Sequence, residues 1–185
     1  MSLDLPEVPQ LSDDSIVLRG LHDRDAEAIF RACHDDPVIL RWTMRPLPFT
    51  RDSATEWIQE RHEHRRAGKQ LPFAIAHPDS NDLIGAIWLG RFDREAQRAE
   101  FGYWVTARER GKGVASRAVA LVAEWALKER GLVRVQILAP LENPASQRVA
   151  EKAGFTKEGL LRSYRRIEGH HTDLIMYSLL RPDPT

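Results

Sequence analysis

Cysteine, net charge and long apolar runs are all scarce in this sequence, and each shortage excludes a class of protein. Cys33 is the only cysteine among 185 residues, so no intramolecular disulfide can form. Lysine plus arginine and aspartate plus glutamate number 27 each, so no net field attracts nucleic acid or an anionic membrane surface. No apolar run approaches the roughly 20 residues of a membrane span, and no signal peptide opens the chain, so we expect a cytoplasmic protein.

The rest of the composition is that of an ordinary globular protein. Hydrophobic residues make up 42% and charged residues 29%, and a chain of this length can bury a core without disulfides or a structural metal. Residues 1–14, which are rich in proline and acidic side chains, are expected to form an extended lead-in. Because no linker or internal repeat follows, residues 15–181 are predicted to form one domain.

Hydrophobic periodicity divides this domain into strands and helices. The pattern predicts strands at 15–21, 71–76, 83–92, 98–105, 133–139, 155–163 and 172–180, and helices at 23–35, 51–67, 113–130 and 143–152. Residues 38–48 are expected to be irregular, because Pro37 ends the first helix. Short turns favour antiparallel neighbours, whereas the helix at 113–130 connects two strands that should be parallel. We therefore predict an α/β domain with a mixed, mostly antiparallel sheet of six to seven strands, a central parallel pair and about four helices.

The most informative segment is a glycine-containing loop at 108–115, between a strand and the start of a helix. The first turn of a helix leaves backbone N–H groups without partners, and its dipole favours negative charge there. Gly111 and Gly113 would let the backbone approach a bulky anion, and Arg110 and Lys112 add positive charge. A diphosphate fits this loop, although a glycine turn that only caps the helix would contain the same residues.

Two other kinds of phosphate-binding loop do not match. The Walker pattern needs glycine at the position of Thr106 and serine or threonine at the position of Gly113. The dinucleotide fingerprint needs a third glycine where Ser116 stands. Nucleotide hydrolysis and hydride transfer are therefore not expected.

Several motifs together resemble one known family. Arg110-Gly111-Lys112-Gly113-Val114-Ala115 resembles the Arg/Gln-x-x-Gly-x-Gly/Ala signature of the GNAT superfamily of acyl-CoA N-acyltransferases. Segments 99–105, 142–146 and 151–155 resemble the branch that contains the RimJ/RimL-type protein N-terminal acetyltransferases. The resemblance extends over about residues 15–180, and its motifs occur in the family's order around the predicted elements.

The resemblance implies acetyl-CoA as the co-substrate and no metal. The sheet would splay between the strand that ends at Val105 and the strand that begins at Val133, with the pantetheine arm in the gap and the diphosphate at the start of the helix. The residues that would hold acetyl-CoA are Trp104, Val105, Arg110, Gly111, Lys112, Gly113, Val114, Ala115, Asn143 and Ser146.

Two residues are assigned to the chemistry by the same resemblance. Glu100 would take the proton of the attacking amine, directly or through water; alternatively, it is a solvated strand residue or part of a structural ion pair. Ser146 would stabilise the thiolate leaving group, because the resemblance implies this role for the serine of an Asn-x-x-Ser pattern, which Asn143 and Ser146 match. The tyrosine that many relatives place on this helix is absent from segment 143–152. The alternative is that Ser146 only bonds the start of its own helix.

Other polar residues fall near the expected site or outside it. Relatives place substrate-contacting residues between the first two helices, which here are Arg41, Trp42 and Arg45. His62 and His64, at a spacing of two, lie on different helix faces and do not form a zinc pair. His170 and His171 fall in a predicted hairpin turn and are expected to be solvated.

The sequence thus predicts an enzyme that transfers an acetyl group from acetyl-CoA to a primary amine by direct attack in a ternary complex. The resemblance favours a peptide or protein α-amine as the acceptor. An α-amine with a pKa near 7.7–8 is partly neutral, whereas a lysine near 10.4 costs about 3–4 kcal/mol to deprotonate. A small-molecule amine acetyltransferase, a non-catalytic acyl-CoA-binding module and a generic nucleotide-phosphate binder are the alternatives. We expect a monomer or a homodimer.

Overall fold

The structure is a computed structural model that describes residues 7–44 and 47–182. Within these ranges the strands are β1 (Leu11–Ser12), β2 (Val17–Arg19), β3 (Gln70–Ala76), β4 (Leu83–Asp93), β5 (Arg98–Val105), β6 (Arg134–Pro140), β7 (Thr156–Ile167) and β8 (His170–Leu180). The α-helices are α1 (Ala26–Asp35), α2 (Pro37–Thr43), α3 (Arg51–Arg66), α4 (Val114–Lys128) and α5 (Pro144–Lys152). None of these helices is long and apolar enough to cross a membrane.

The strands form one sheet in the order β1-β2-β3-β4-β5-β6-β8-β7. Every neighbouring pair is antiparallel except β5 and β6, which α4 connects in parallel. The predicted class is confirmed, with eight strands and five helices in the described ranges instead of six to seven and about four. Part of the difference is β1, in which Leu11 and Ser12 of the N-terminal lead-in pair with β2. Residues 1–6 of that lead-in lie outside the described residues.

Helices cover both faces of the sheet. On one face α4 forms because Val114, Ala118, Val122 and Trp125 recur at helical spacing, and all four side chains are buried in the larger core together with residues of β2 to β6 and of β8. Each fully buried valine contributes about 1.5–3 kcal/mol. On the other face α1, α2 and α3 bury a second cluster, which includes the side chain of Cys33.

The prediction that residues 38–48 are irregular was wrong for the helical part of this stretch. Pro37 ends α1 and also begins α2, because proline fits the first turn of a helix, where its missing N–H has no intrahelical acceptor. The side chain of Asp36 caps this new helix by accepting a hydrogen bond from the backbone N–H of Val38 at 3.1 Å. Helix α2 ends at Thr43, and Met44 follows it in the left-handed conformation.

The sheet splays between β5 and β6, as the family resemblance implied. The two strands pair only over three rungs, from Arg98↔Arg134 to Glu100↔Gln136. Strand β5 continues to pair with β4 as far as Val105, and β6 continues to pair with β8 as far as Pro140. The strands therefore diverge after Glu100 while each stays fixed to its outer neighbour.

Candidate functional site

A cavity of about 410 Å³ lies where β5 and β6 diverge. Its lining comes from both faces of the sheet: α2 and α3 contribute on one face, and α4 and α5 contribute on the other. The sequence-predicted residues that line it are Trp42, Glu100, Trp104, Val105, Arg110, Ala115, Asn143 and Ser146. The fold thus gathers into one cavity residues that are far apart in the sequence.

The loop before α4 has a backbone that requires glycine. Gly111 has φ 78° and Gly113, the N-cap of α4, has φ 82°. In this left-handed conformation a residue with a Cβ costs roughly 1–2 kcal/mol. The space around Gly111 is open, so the dihedral angle and not crowding accounts for glycine at that position. The loop leads directly into the first turn of α4, where Ala115 lines the cavity.

Arg110 and Lys112, the two cations of this loop that were predicted to bind the diphosphate, have acidic partners. Arg110 lines the cavity, and its Nη2 lies 2.5 Å from Oδ2 of Asp36, the residue that caps α2. Lys112 is exposed, and its Nζ lies 3.1 Å from each carboxylate oxygen of Glu109. The Arg110 ion pair therefore joins the loop before α4 to the helix on the opposite face of the sheet.

Glu100 occupies the last paired rung before the splay and lines the cavity. Arg165 of β7 donates a hydrogen bond to its Oε1 at 3.0 Å, and Nε of Arg91 lies 3.6 Å from the same oxygen. Nε2 of Gln136 approaches Oε2 at 3.5 Å. The side chain of Glu100 is only 11% exposed. The structural ion pair, which was the alternative role considered for Glu100, is thus present. Proton acceptance by this carboxylate stays a prediction.

Helix α5 begins as predicted, with Asn143 as its cap. The Asn143 Oδ1 accepts a hydrogen bond from the backbone N–H of Ser146 at 3.0 Å, and Pro144 occupies the first position. The Ser146 Oγ lies 2.9 Å from the phenolic oxygen of Tyr103, a pair in which either hydroxyl can donate, and the phenol can instead donate to the Ser146 carbonyl at 3.2 Å. The Ser146 hydroxyl therefore interacts with β5.

Tyr103 was not among the predicted site residues, although it lines the cavity. Burial raises the pKa of its phenol far above the ordinary value, and the hydrogen bond to Ser146 offsets only part of that shift. Tyr103 is therefore a neutral phenol. A tyrosine on the inward face of a strand was the available signal, because a buried phenolic O–H usually has a hydrogen-bond partner.

Comparison with known proteins identifies the family. The model for the acetyltransferase (GNAT) domain matches residues 15–156. The chain belongs to the GNAT acetyltransferase family. It is accordingly an N-acetyltransferase that depends on acetyl-CoA, as the sequence predicted.

Several relatives of this GNAT domain match it over nearly its whole length. YoaA of Bacillus subtilis, an uncharacterized N-acetyltransferase, is 31% identical over 174 residues, which are 94% of this chain and 98% of the relative. The [ribosomal protein uS5]-alanine N-acetyltransferase of Escherichia coli is 26% identical over 191 residues, covering 98% of this chain and 95% of that protein. The solved structure of Mycobacterium smegmatis RimJ in complex with CoA-disulfide has a TM-score of 0.82 at 25% identity, covering 97% and 90% of the two chains. The predicted likeness to the RimJ/RimL-type branch is confirmed.

On the α2 and α3 side, the GNAT cavity has an aromatic wall formed by Trp42, Trp57 and Trp88. Trp88 of β4 packs against Gly102, its partner residue on β5. A Cβ at Gly102 would overlap the Trp88 indole, so the position of Trp88 depends on glycine there. We call these three tryptophans the aromatic wall below.

The three predicted substrate residues differ in their positions. Trp42 belongs to the aromatic wall, and the guanidinium of Arg41 lies 4.6 Å from the centroid of its ring. Arg41 itself is exposed, with ion pairs to Glu142 at 3.3 Å and to Glu168 at 3.4 Å. Arg45 lies outside the described residues.

The histidines lie outside the cavity lining. His62 is half-buried on α3; burial lowers its pKa, and the neighbouring arginines of α3 add to that effect while Asp23 opposes it. His170 and His171 are the first residues of β8, and both are exposed. Among residues 7–44 and 47–182, no group of three or more histidine, cysteine or acidic side chains could hold a metal ion.

Proposed function

We propose that this GNAT domain transfers an acetyl group from acetyl-CoA to the N-terminal α-amine of a peptide or protein, by direct attack in a ternary complex. The observation that carries the proposal is the single cavity at the splay, which is lined from both faces of the sheet. The loop before α4, through Arg110, and the aromatic wall both contribute to its lining. Two substrates can therefore bind together and meet beside β5.

The residues of the α4 side fit acetyl-CoA, which when bound supplies an acyl group activated as a thioester. The left-handed glycines leave the N–H groups at the start of α4 accessible to a diphosphate. Beyond Glu100, the side of β5 that faces the splay is free of β6. There the backbone of Trp104 and Val105 can hydrogen-bond a pantetheine arm in the manner of an added strand.

We assign proton acceptance from the amine to Glu100, directly or through one water. A general base must come within about 2.6–3.2 Å of the donor or use a bridging water. The position of Glu100 supports this assignment, because the residue lines the cavity and a hydrogen bond from Arg165 orients its carboxylate. The ion pair then holds the base in place and need not compete with its role.

We assign stabilisation of the thiolate leaving group to Ser146. Its hydroxyl lines the cavity at the third position of α5, where the helix dipole favours negative charge. A hydrogen bond from Oγ to the sulfur would stabilise the thiolate as the C–S bond breaks. Asn143 supports this arrangement, because its side chain fixes the backbone of Ser146.

An α-amine is the favoured acceptor for chemical reasons and by similarity. At neutral pH an α-amine is partly deprotonated, whereas a lysine amine costs about 3–4 kcal/mol more to neutralise. The E. coli relative is named as an acetyltransferase for the alanine of ribosomal protein uS5. The aromatic wall would contact the first side chains of such a peptide.

The test is release of free thiol from acetyl-CoA with matched acceptors. One set of peptides has a free N-terminus and an internal lysine, and the second set has the same sequences with a blocked N-terminus. We expect release with the first set only. Release with both sets would make lysine the acceptor, and release only with small amines would contradict the peptide assignment. Thermal stabilisation by CoA without release on any amine would instead identify a non-catalytic binding module, with ATP as the control ligand.

A further inference from the structure

We propose that Tyr103 is a positioning residue for the leaving group: its phenolic hydroxyl aims the Ser146 hydroxyl at the sulfur of the thioester. The inference rests on the proposed function, in which Ser146 stabilises the departing thiolate. It assigns a role to a residue that was not among the predicted site residues.

The geometry of the two side chains supports this role. Tyr103 extends from β5 and Ser146 from the first turn of α5, and both line the cavity. The two hydroxyl oxygens are 2.9 Å apart, and the phenolic oxygen is 3.2 Å from the Ser146 carbonyl. Serine hydroxyls rotate freely unless a partner fixes them. Tyr103 is such a partner, and it is itself fixed by burial in the sheet.

The hydroxyl groups of Tyr103 and Ser146 can form two alternative hydrogen-bonding arrangements. If the phenol donates to the Ser146 carbonyl, the Ser146 hydroxyl donates to the phenol and its proton is turned away from a ligand. If the phenol donates to the Ser146 Oγ, the serine proton is available to a sulfur in the cavity. A phenol is a much stronger hydrogen-bond donor than an aliphatic alcohol, and a developing thiolate attracts the serine proton. Both effects favour the chain from Tyr103 through Ser146 to sulfur.

Acetyl transfer from the thioester to the amine requires no proton from the Tyr103 or the Ser146 hydroxyl. The amine nitrogen forms a bond to the acyl carbon, the C–S bond breaks, and the sulfur leaves with the electron pair as a thiolate. The proton of the amine passes to Glu100 or to water. Tyr103 keeps its proton, because burial raises the pKa of its phenol. The thiolate takes a proton from water after release, so Tyr103 and Ser146 act only as hydrogen-bond donors.

The test compares the binding of CoA with that of desulfo-CoA, which lacks the sulfur, and so needs no turnover. By calorimetry at a pH where bound CoA is a thiolate, the wild type should prefer CoA. Ser146→Ala should abolish this preference. Tyr103→Phe should reduce it about 2- to 12-fold, the range expected for one neutral hydrogen bond. The pKa of bound CoA, followed by the ultraviolet absorbance of its thiolate, should rise in both variants.

Turnover gives a second, independent measurement. Tyr103→Phe should lower kcat by a similar factor, about 2- to 12-fold, and leave the KM for the acceptor unchanged. In a Ser146→Ala background, Tyr103→Phe should have no further effect on kcat, because it acts only through the serine hydroxyl. An equal loss in both backgrounds would show that Tyr103 acts independently of Ser146 and would overturn the inference.

Tyr177→Phe is the matched control. Tyr177 is also a buried tyrosine that donates a hydrogen bond to α5, at 3.0 Å to Oε1 of Glu151, but neither residue lines the cavity. The Tyr177→Phe substitution should lower thermal stability, as Tyr103→Phe does, and should leave the preference for CoA over desulfo-CoA intact. If both variants lose that preference equally, Tyr103 only braces α5 and the inference fails.

The same measurements separate this inference from the proposed function. Equal affinities of the wild type for CoA and desulfo-CoA would contradict a contact between Ser146 and the sulfur, and with it the proposed role of Ser146. A preference that Ser146→Ala abolishes but Tyr103→Phe leaves unchanged would overturn the role of Tyr103 alone.

Discussion

Gly111→Ala should weaken CoA binding, and the size of the effect should follow from the energetic cost of the left-handed backbone conformation at this position. Gly111 has φ 78° with open space around its Cα, so alanine would clash with nothing and would suffer only the cost of the left-handed conformation. That cost is roughly 1–2 kcal/mol. The exposed loop can relax to a different conformation in the free protein, and a bound diphosphate must then restore the original one. The dissociation constant of CoA should therefore rise about 5- to 30-fold.

Gly154→Ala provides the control for this experiment. Gly154 follows α5 with φ 84°, and the space around it is equally open, but it is not part of the loop before α4 to which the diphosphate is assigned. Backbone hydrogen bonds hold this turn, including one from the N–H of Gly154 to the carbonyl of Glu151 at 3.1 Å. The same strain should therefore appear as a lower Tm, by about 2–8 °C, with unchanged CoA affinity. Calorimetric titration of CoA decides the matter: a dissociation constant for Gly111→Ala within about twofold of the wild type would refute the placement of the diphosphate on this loop.

Three further substitutions test other parts of the molecule. Asp25→Asn should lower the free energy of unfolding by about 3–5 kcal/mol at pH 7, measured by denaturant titration, because it leaves the buried guanidinium of Arg19 without its charge partner. Glu100→Gln should reduce kcat/KM by about 10²-fold or more across the pH range if this carboxylate accepts the amine proton. Trp42→Ala should raise the KM for peptide acceptors by about 2- to 12-fold, because it removes one side of the aromatic wall.

Each of these has its own control. Asp23→Asn, an exposed change in the same turn, should be nearly neutral, and a similar loss in both aspartate variants would contradict the role of the buried pair. Near-normal turnover by Glu100→Gln would remove the carboxylate from proton transfer and leave it an ion-pair residue. Trp42→Ala should keep the CoA affinity of the wild type; a change in stability with no change in KM would make Trp42 a packing residue only.

The Asp25 substitution also predicts a pH dependence. Burial by itself would raise the pKa of Asp25, but the hydrogen bonds from Arg19 and from the backbone of His22 outweigh burial and hold that pKa below its ordinary value. A carboxyl group of this kind stabilises the folded state above the pKa of the unfolded chain, near 4, and loses that contribution as the pH falls through the lower folded-state value. The stability difference between wild type and Asp25→Asn should thus be complete above about pH 5 and shrink below about pH 4.

Local patterns predicted the elements whose signal lies within a few residues. Helix α4 was expected at 113–130 from its apolar stripe and is found at Val114–Lys128, and the cap of α5 at Asn143 followed from Asn-Pro alone. Helix α2 was missed because it has only seven residues, too few for a periodic stripe, and because Pro37 was interpreted only as the end of the preceding helix. The two-residue strand β1 has no period at all.

The residues of the candidate site show the same difference between local patterns, which could be predicted, and contacts between distant segments, which could not. The loop at 108–115 and residues such as Glu100 and Ser146 were predicted because family motifs mark them along the chain. The partners of those residues were not, because Arg165 is 65 positions from Glu100 and Tyr103 is 43 positions from Ser146. Such contacts arise only when β5, α5 and β7 have packed together. Alternation along β5 puts Tyr103 on the same face as Phe101 and Val105, but it does not identify the side chain of another element that Tyr103 contacts.

The divergence of β5 and β6 gives the protein two strand edges that face inward. Open edges on a protein surface are a hazard, because their N–H and C=O groups can pair with other chains. Here each edge strand is bound on its outer side, by β4 or by β8, and the two edges face each other across a narrow gap. The free protein therefore consists of two half-sheets joined by three rungs. A slender, amide-bearing ligand in that gap would complete one continuous sheet, and backbone amides on both sides of it should then exchange with solvent more slowly.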